Sequence, residues 1–260
     1  MPLISNRSNG VSFYQFPNLK DMADICHAVF TRNDGISQKP YRSLNTSFGV
    51  GDAAGSVSHN RALIKASLQA DELLFAKQVH GTDILVLSQH RDYRRDGPSD
   101  GPPEGDALIT DRKGRFLAVQ VADCQPVFLY DRVRKVVANI HAGWRGSVAN
   151  IIGRTVAAMQ KEFATVPRDI MAGIGPSLGP CCAEFIHYRQ ELPKSFRAYK
   201  DSNHHFDFWA ISRDQLVAAG VAPDNISSSN ICTRCHPEQF FSYRGESTTG
   251  RFTAVNGLKL

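Results

Sequence analysis

At 260 residues, with 42% hydrophobic and 21% charged residues, the chain can bury a substantial core as one large domain or two small ones. That balance excludes a disordered or low-complexity chain. The net charge of +5 is dispersed, with no run of Lys or Arg longer than two, and argues against a nucleic-acid partner. No apolar run approaches the roughly 18 residues a membrane helix needs, so no membrane partner is expected. The stretch MPLISNRSNGVSFYQFPNL lacks a basic segment followed by an apolar one and does not read as a signal peptide. Six cysteines (Cys26, Cys124, Cys181, Cys182, Cys232, Cys235) do not make a disulfide scaffold. A cytoplasmic location is expected, where reduced sulfurs stay available as ligands.

In chain order, residues 11–16 and 27–31 read as short strands, and the polar, Gly-rich residues 40–52 as a surface loop. Ser56 is expected to cap a helix reaching about Gln69. Residues 73–80 and 84–89 read as a strand pair around the turn Gly81-Thr82-Asp83. Residues 90–105, rich in Gly, Pro and mixed charge, form a loop excursion inside a domain. Strand character resumes at Asp106. Residues 119–148 then carry three apolar runs, placing Cys124 and His141 at strand ends beside small residues. Ser147 is expected to cap a helix with Val148, Ile151, Ile152, Val156, Met159 and Phe163 at helical spacing. Residues 170–175 read as a buried strand, and Asp207 begins a helix that Gly220 ends. Strands grouped in hairpins, with helices between the groups, predict an α+β fold: a single domain over residues 1–260, with a mixed β-sheet and flanking helices.

His80, Cys124 and His141 are the metal candidates. Two imidazoles and a thiolate leave a fourth tetrahedral position open, the mark of a catalytic zinc site, and copper suits the same donors. A metal there lowers the pKa of water to about 7. The same Cys124 and His141, with Asp123 adjacent, can instead make a thiolate nucleophile and its base. Cys232-x-x-Cys235-His236 resembles half a zinc knuckle, while the adjacent pair Cys181-Cys182 looks poorly suited to one tetrahedral centre. Arg32, Arg42, Arg145, Arg244 and Arg251 sit in turns suited to phosphate.

The motifs KQVHG (77–81), GDALIT (105–110), ADCQP (122–126), HAGWRG (141–146), IGPSLGPCC (174–182) and FFSYR (240–244) occur in order. With Arg32 in TRNDGIS and Asn45 in SLN, they resemble the laccase-domain (YfiH-like) family of purine nucleoside phosphorylases, also called polyphenol oxidases. The resemblance spans about residues 25–252. One departure is Asp34, which stands where the family commonly has the first Gly of a TR-x-GG turn.

The resemblance implies an α+β fold related to putative cysteine hydrolases, with one zinc on His80, Cys124 and His141. It also implies phosphorolysis of adenosine, guanosine, inosine and methylthioadenosine, and deamination of adenosine. The alternatives it carries are a copper-dependent polyphenol oxidase and a Cys124 hydrolase acting on peptidoglycan precursors. On this reading Asp123, with Asp106 second, is the candidate proton shuttle. Arg32, Asn45 and Arg145 are the candidate substrate contacts. The expected partners are purine nucleosides and phosphate, and the expected state is a monomer or weak homodimer.

Overall fold

Most apolar runs of the sequence become strands buried on both faces. The computed structural model describes residues 2–88 and 101–260. Within these, β1 (Ile4–Ser8), β2 (Val11–Gln15), β3 (Ile25–Phe30), β4 (Glu72–Phe75), β7 (Arg115–Val121) and β12 (Phe252–Leu258) form one six-stranded sheet, ordered β1-β2-β3-β12-β7-β4. A second six-stranded sheet is ordered β11-β10-β8-β9-β6-β5. Its members are β5 (Ile84–Leu87), β6 (Ala107–Thr110), β8 (Gln125–Asp131), β9 (Val136–Ala142), β10 (Ile170–Ile174) and β11 (Ile226–Ser228). Both sheets are mixed: β4·β7, β5·β6 and β10·β11 pair parallel, and the other pairs are antiparallel. The helices are α1 (Pro17–Lys20), α2 (Ala54–Leu68), α3 (Trp144–Val148), α4 (Ile151–Phe163), α5 (Tyr188–Glu191), α6 (Phe208–Ala218) and α7 (Tyr243–Glu246). No helix among the described residues is long and apolar enough to cross a membrane.

The two-residue period of a strand builds the layers. In β7, Leu117, Val119 and Val121 face a core shared with Phe128 and Tyr130 of β8, while Phe116 and Ala118 face Ile64 and Leu68 of α2. In the second sheet, Val127 and Leu129 of β8 turn the other way, onto Ile152, Val156 and Met159 of α4 and Leu216 of α6. The order is therefore helix, sheet, sheet, helices. Two buried asparagines stitch the sheets together. Asn139 Nδ2 donates to the carbonyls of Leu117 and Ala254, and Asn256 Nδ2 donates to those of Leu129 and Ala138. Each amide satisfies backbone acceptors of the opposite sheet, which fixes how the sheets sit on one another.

The α+β expectation holds, but as two mixed sheets rather than one. The expected strand pair at 73–80 and 84–89 is corrected: β4 joins β7 in the first sheet and β5 joins β6 in the second. The cause is Asp106, whose carboxylate gathers the N–H groups of Val79, His80 and Gly81 and holds that segment out of strand geometry. Ser56 lies inside α2, whose N-terminus has no side-chain cap. Ser147 lies inside α3; Asn150, at φ +57°, starts α4 and accepts from Gly153 N. Asp207 does cap α6, and Gly220 follows its end at φ +92°. Asp34 takes φ +68°, so it keeps the left-handed turn that glycine would otherwise supply. Most of the 90–105 excursion lies outside the described residues.

His27 on β3 is buried, and its Nε2 accepts from Phe16 N at 2.8 Å. Burial pushes its pKa from 6.5 down to about 3. The folded protein keeps this imidazole neutral while the unfolded chain protonates it, so stability falls as pH drops below about 6.5. We expect the denaturant midpoint to decline from pH 7 to pH 5. His27 contributes a slope approaching about 1.4 kcal/mol per pH unit, and a His27→Gln variant flattens that part of the profile.

Candidate active site

The segment linking β4 to β5 passes between the sheets and delivers His80, held at φ +60° by the Asp106 carboxylate. Cys124 precedes β8, after Asp123 at φ +88°, and His141 lies near the end of β9, paired across the ladder with Pro126. One donor atom from each of His80, Cys124 and His141 lies within 4.8 Å of the others. Gly143 makes this approach possible. A Cβ there would lie 2.9 Å from His80 Cδ2 and 3.2 Å from Cys124 Sγ.

Asp106 organises the site from beneath. It is fully buried, and its Oδ1 lies 2.8 Å from His141 Nδ1. Its Oδ1 also takes the N–H of His80, and Oδ2 takes those of Val79 and Gly81. This carboxylate sets the His141 tautomer, leaving Nε2 for the sulfur side. Burial pushes the Cys124 thiol up, but His141 and His80 overcome it and bring the pKa down to about 6. Burial pushes His141 down, and the Cys124 thiolate and Asp106 outweigh it, carrying the imidazole to about 9. The trio offers one sulfur and two imidazole rings, a donor set that fits a soft divalent metal once His141 gives up its proton to it.

The trio opens into a cavity of about 1130 Å³. Aromatic faces come from Phe48, Phe75, Trp144, Phe185 and Tyr243. Arg61, Arg145, Arg244 and Arg251 line the same space, and none of them pairs with a carboxylate among the described residues. The Arg61 guanidinium lies 3.7 Å from the Phe75 ring centroid and 4.5 Å from that of Phe48; burial lowers its pKa to about 10. Arg145 stacks on Trp144 at 4.3 Å.

The sequence-level candidates separate here. His80, Cys124, His141, Asp123 and Arg145 all line the cavity. Arg32 does not. Its guanidinium holds the carbonyls of Arg42 and Pro237 and the carboxylate of Glu246, and lies over Phe241. Asn45 is fully buried, and its amide is spent on Ser47, Asp52 and the N–H of Arg251. Both position loops rather than face the cavity. Both Asp123 carboxylate oxygens are also occupied, one by the Thr233 hydroxyl and one by the N–H of Arg244. Asp106 is sequestered behind His141. Asn60-Arg61 belongs to the family pattern, but Arg61 carried no site role in the sequence because a lone arginine inside a helix looks like solvated surface.

A thiolate and two histidines at the floor of an arginine-rimmed cavity, between two mixed sheets, define an α+β protein with a Cys/His-centred site. A family model described as multi-copper polyphenol oxidoreductase laccase matches residues 26–259. A purine nucleoside phosphorylase of Bacteroides thetaiotaomicron is 35% identical over 88% of this chain and 89% of its own length. The purine nucleoside phosphorylase YfiH of Escherichia coli is 33% identical over 92% of this chain and 95% of its own. The crystal structure of YlmD from Geobacillus stearothermophilus superposes with a TM-score of 0.86 at 30% identity, covering 100% of both chains. The chain belongs to the YfiH-like laccase-domain family.

Proposed function

We propose that the protein is a zinc-dependent purine nucleoside phosphorylase of the cytoplasm. One observation carries the reading: four arginines that pair with no carboxylate among the described residues surround the same cavity whose floor is the His80, Cys124 and His141 trio. Guanidinium groups on a cavity wall suit a phosphate dianion, and the aromatic walls suit a purine. The names of the relatives point the same way.

In the proposed reaction a phosphate oxygen bonds to ribose C1′ as the bond from C1′ to the purine nitrogen breaks. The bonding pair leaves with the base, which takes up a proton. Arg145 and Arg61 hold the phosphate charge, and the stacked rings exclude water from the purine faces. His80, Cys124 and His141 would hold the metal, with Asp106 fixing the His141 ring. Zinc there supplies Lewis acidity at the cavity floor. Adenosine deamination is the second activity we assign to this floor, since it needs an activated water rather than phosphate. Among the described residues only one other His/Cys/Asp/Glu group could hold a metal, the four-cysteine cluster, so the donor supply favours nucleoside chemistry over multi-copper oxidation.

Chromatography of inosine incubated with and without phosphate tests the proposal. We expect hypoxanthine and ribose 1-phosphate only when phosphate is present, and only with metal-loaded protein. Arg145→Met should raise KM for phosphate at least about 10-fold, the cost of one charge-assisted hydrogen bond. An unchanged KM would remove Arg145 from the phosphate site. A second reading is favoured by the Cys124 sulfur lying against an Asp-oriented imidazole, the geometry of a metal-free thiol hydrolase. Turnover that survives chelation and dies on thiol alkylation would select it.

A further inference from the structure

Outside the active site, Cys181, Cys182, Cys232 and Cys235 bring their four sulfur atoms within 4.8 Å of one another. The sulfurs of Cys181 and Cys182 each lie 3.6 Å from that of Cys235. Tetrahedral zinc with bonds of about 2.3 Å to sulfur requires edges of roughly 3.8 Å. We propose that these four cysteines form a second, closed metal site that holds one zinc ion as a tetrathiolate.

The adjacent pair is not the obstacle its spacing suggested. The Gly/Pro turn before it, with Cys182 N and Ala183 N both donating to Gly179 O, folds back so that both side chains meet the same partner loop. The Gly179 N–H also points at Cys232 Sγ, 3.3 Å away, the contact that stabilises charge on a ligating sulfur. Cys182 and Cys232 are buried while Cys181 and Cys235 reach the surface, which gives an ion a way in. Zinc on four thiolates carries a net charge of about −2, and forming it sends the thiol protons to solvent. The Arg244 guanidinium is anchored on the Cys182 and Glu184 carbonyls, which places one positive charge beside the loop that carries two of the ligands.

The consequence is mechanical. The two cysteine-bearing loops meet at the Ser177–Cys232 bridge, and both hold Asp123: Leu178 N donates to its carbonyl and the Thr233 hydroxyl to its carboxylate. Residues of these loops and their neighbours, Leu178, Ala183 and Arg244, line the cavity. A zinc clamp there fixes one cavity wall without touching reacting atoms. It thereby holds the residue preceding Cys124.

Cobalt(II) titration of the full chain, purified under reducing conditions and stripped of metal, separates this site from the His80, Cys124 and His141 site. A tetrathiolate gives intense sulfur-to-cobalt charge-transfer absorption. We expect that absorption in the wild type, its persistence in His80→Ala, and its loss in Cys235→Ser. Zinc counted by mass spectrometry should drop by one equivalent per chain in Cys235→Ser, and amide exchange should quicken in residues 177–183 and 231–236. The wild-type spectrum decides the matter if the variant fails to fold. No tetrathiolate absorption in the wild type, absorption that disappears only with His80→Ala, or intact-mass evidence that the cysteines pair as disulfides would each overturn the proposal. None of these outcomes depends on nucleoside turnover.

Discussion

Cys124→Ala is expected to abolish the proposed phosphate-dependent base release, lowering kcat/KM by roughly 10³-fold or more. The sulfur is the only anionic donor of its trio, and it stands between two imidazoles at the cavity floor. Without it the metal loses its thiolate, and the Lewis acidity proposed there goes with it. Several kcal/mol of transition-state stabilisation are at stake, and about 4 kcal/mol corresponds to that factor. The fold should survive, because Cys124 only packs at the edge of the shared core and alanine suits its backbone. The measurement pairs initial rates with zinc content, read beside the tetrathiolate's own equivalent. Zinc should fall by one per chain, with little change in thermal midpoint. Full turnover with unchanged metal would sink both the metal assignment and the nucleophile reading.

The apolar runs ending beside small residues nominated the trio, but its wide spacing is a weak signal, and the motifs KQVHG, ADCQP and HAGWRG are what made it legible. The sequence also made the strongest helices legible: the periodic spacing of Ile152, Val156 and Met159 does face a core. Other features depended on distant partners. β12 reads FTAVNGL, whose Asn and Gly argue against a strand, yet Asn256 is buried because carbonyls of the opposite sheet await it. Gly257 fits because Phe116 fills the space where a side chain would be. The parallel pairings of β4 and β5 were hidden for the same reason. A carboxylate at position 106 decides the path of residues 79–81, and nothing local marks it. Asn45 and Arg32, expected as substrate contacts, make hydrogen bonds to partners about 200 residues away, which no local pattern could show: Arg32 reaches Pro237 and Glu246, and Asn45 takes the N–H of Arg251. The four cysteines needed the loop geometry, because sequence placed them as two unrelated pairs.

Asp106→Asn should lower zinc affinity at the active site by roughly 10- to 100-fold and reduce turnover similarly, although no atom of Asp106 touches substrate. The carboxylate accepts on both oxygens at once, from His141 and His80 N on one, and from Val79 N and Gly81 N on the other. An amide cannot do this. If its oxygen faces His141, its NH₂ opposes the N–H groups of Val79 and Gly81, and buried donors are left unmatched at about 1–3 kcal/mol. If it flips, the NH₂ meets His141 Nδ1 and drives the ring proton to Nε2, the nitrogen needed on the sulfur side. Either way the His141 ring or the His80 segment gives. Asp106→Ala is expected to be worse for stability, since every one of these donors then loses its acceptor inside the core. Competition with a chromogenic chelator reads the zinc affinity, and denaturant unfolding reads the stability. An Asn variant that kept wild-type zinc affinity would show that the tautomer is set elsewhere. An Asn variant that lost affinity without losing stability would assign the whole effect to the imidazole rather than to the chain that carries His80.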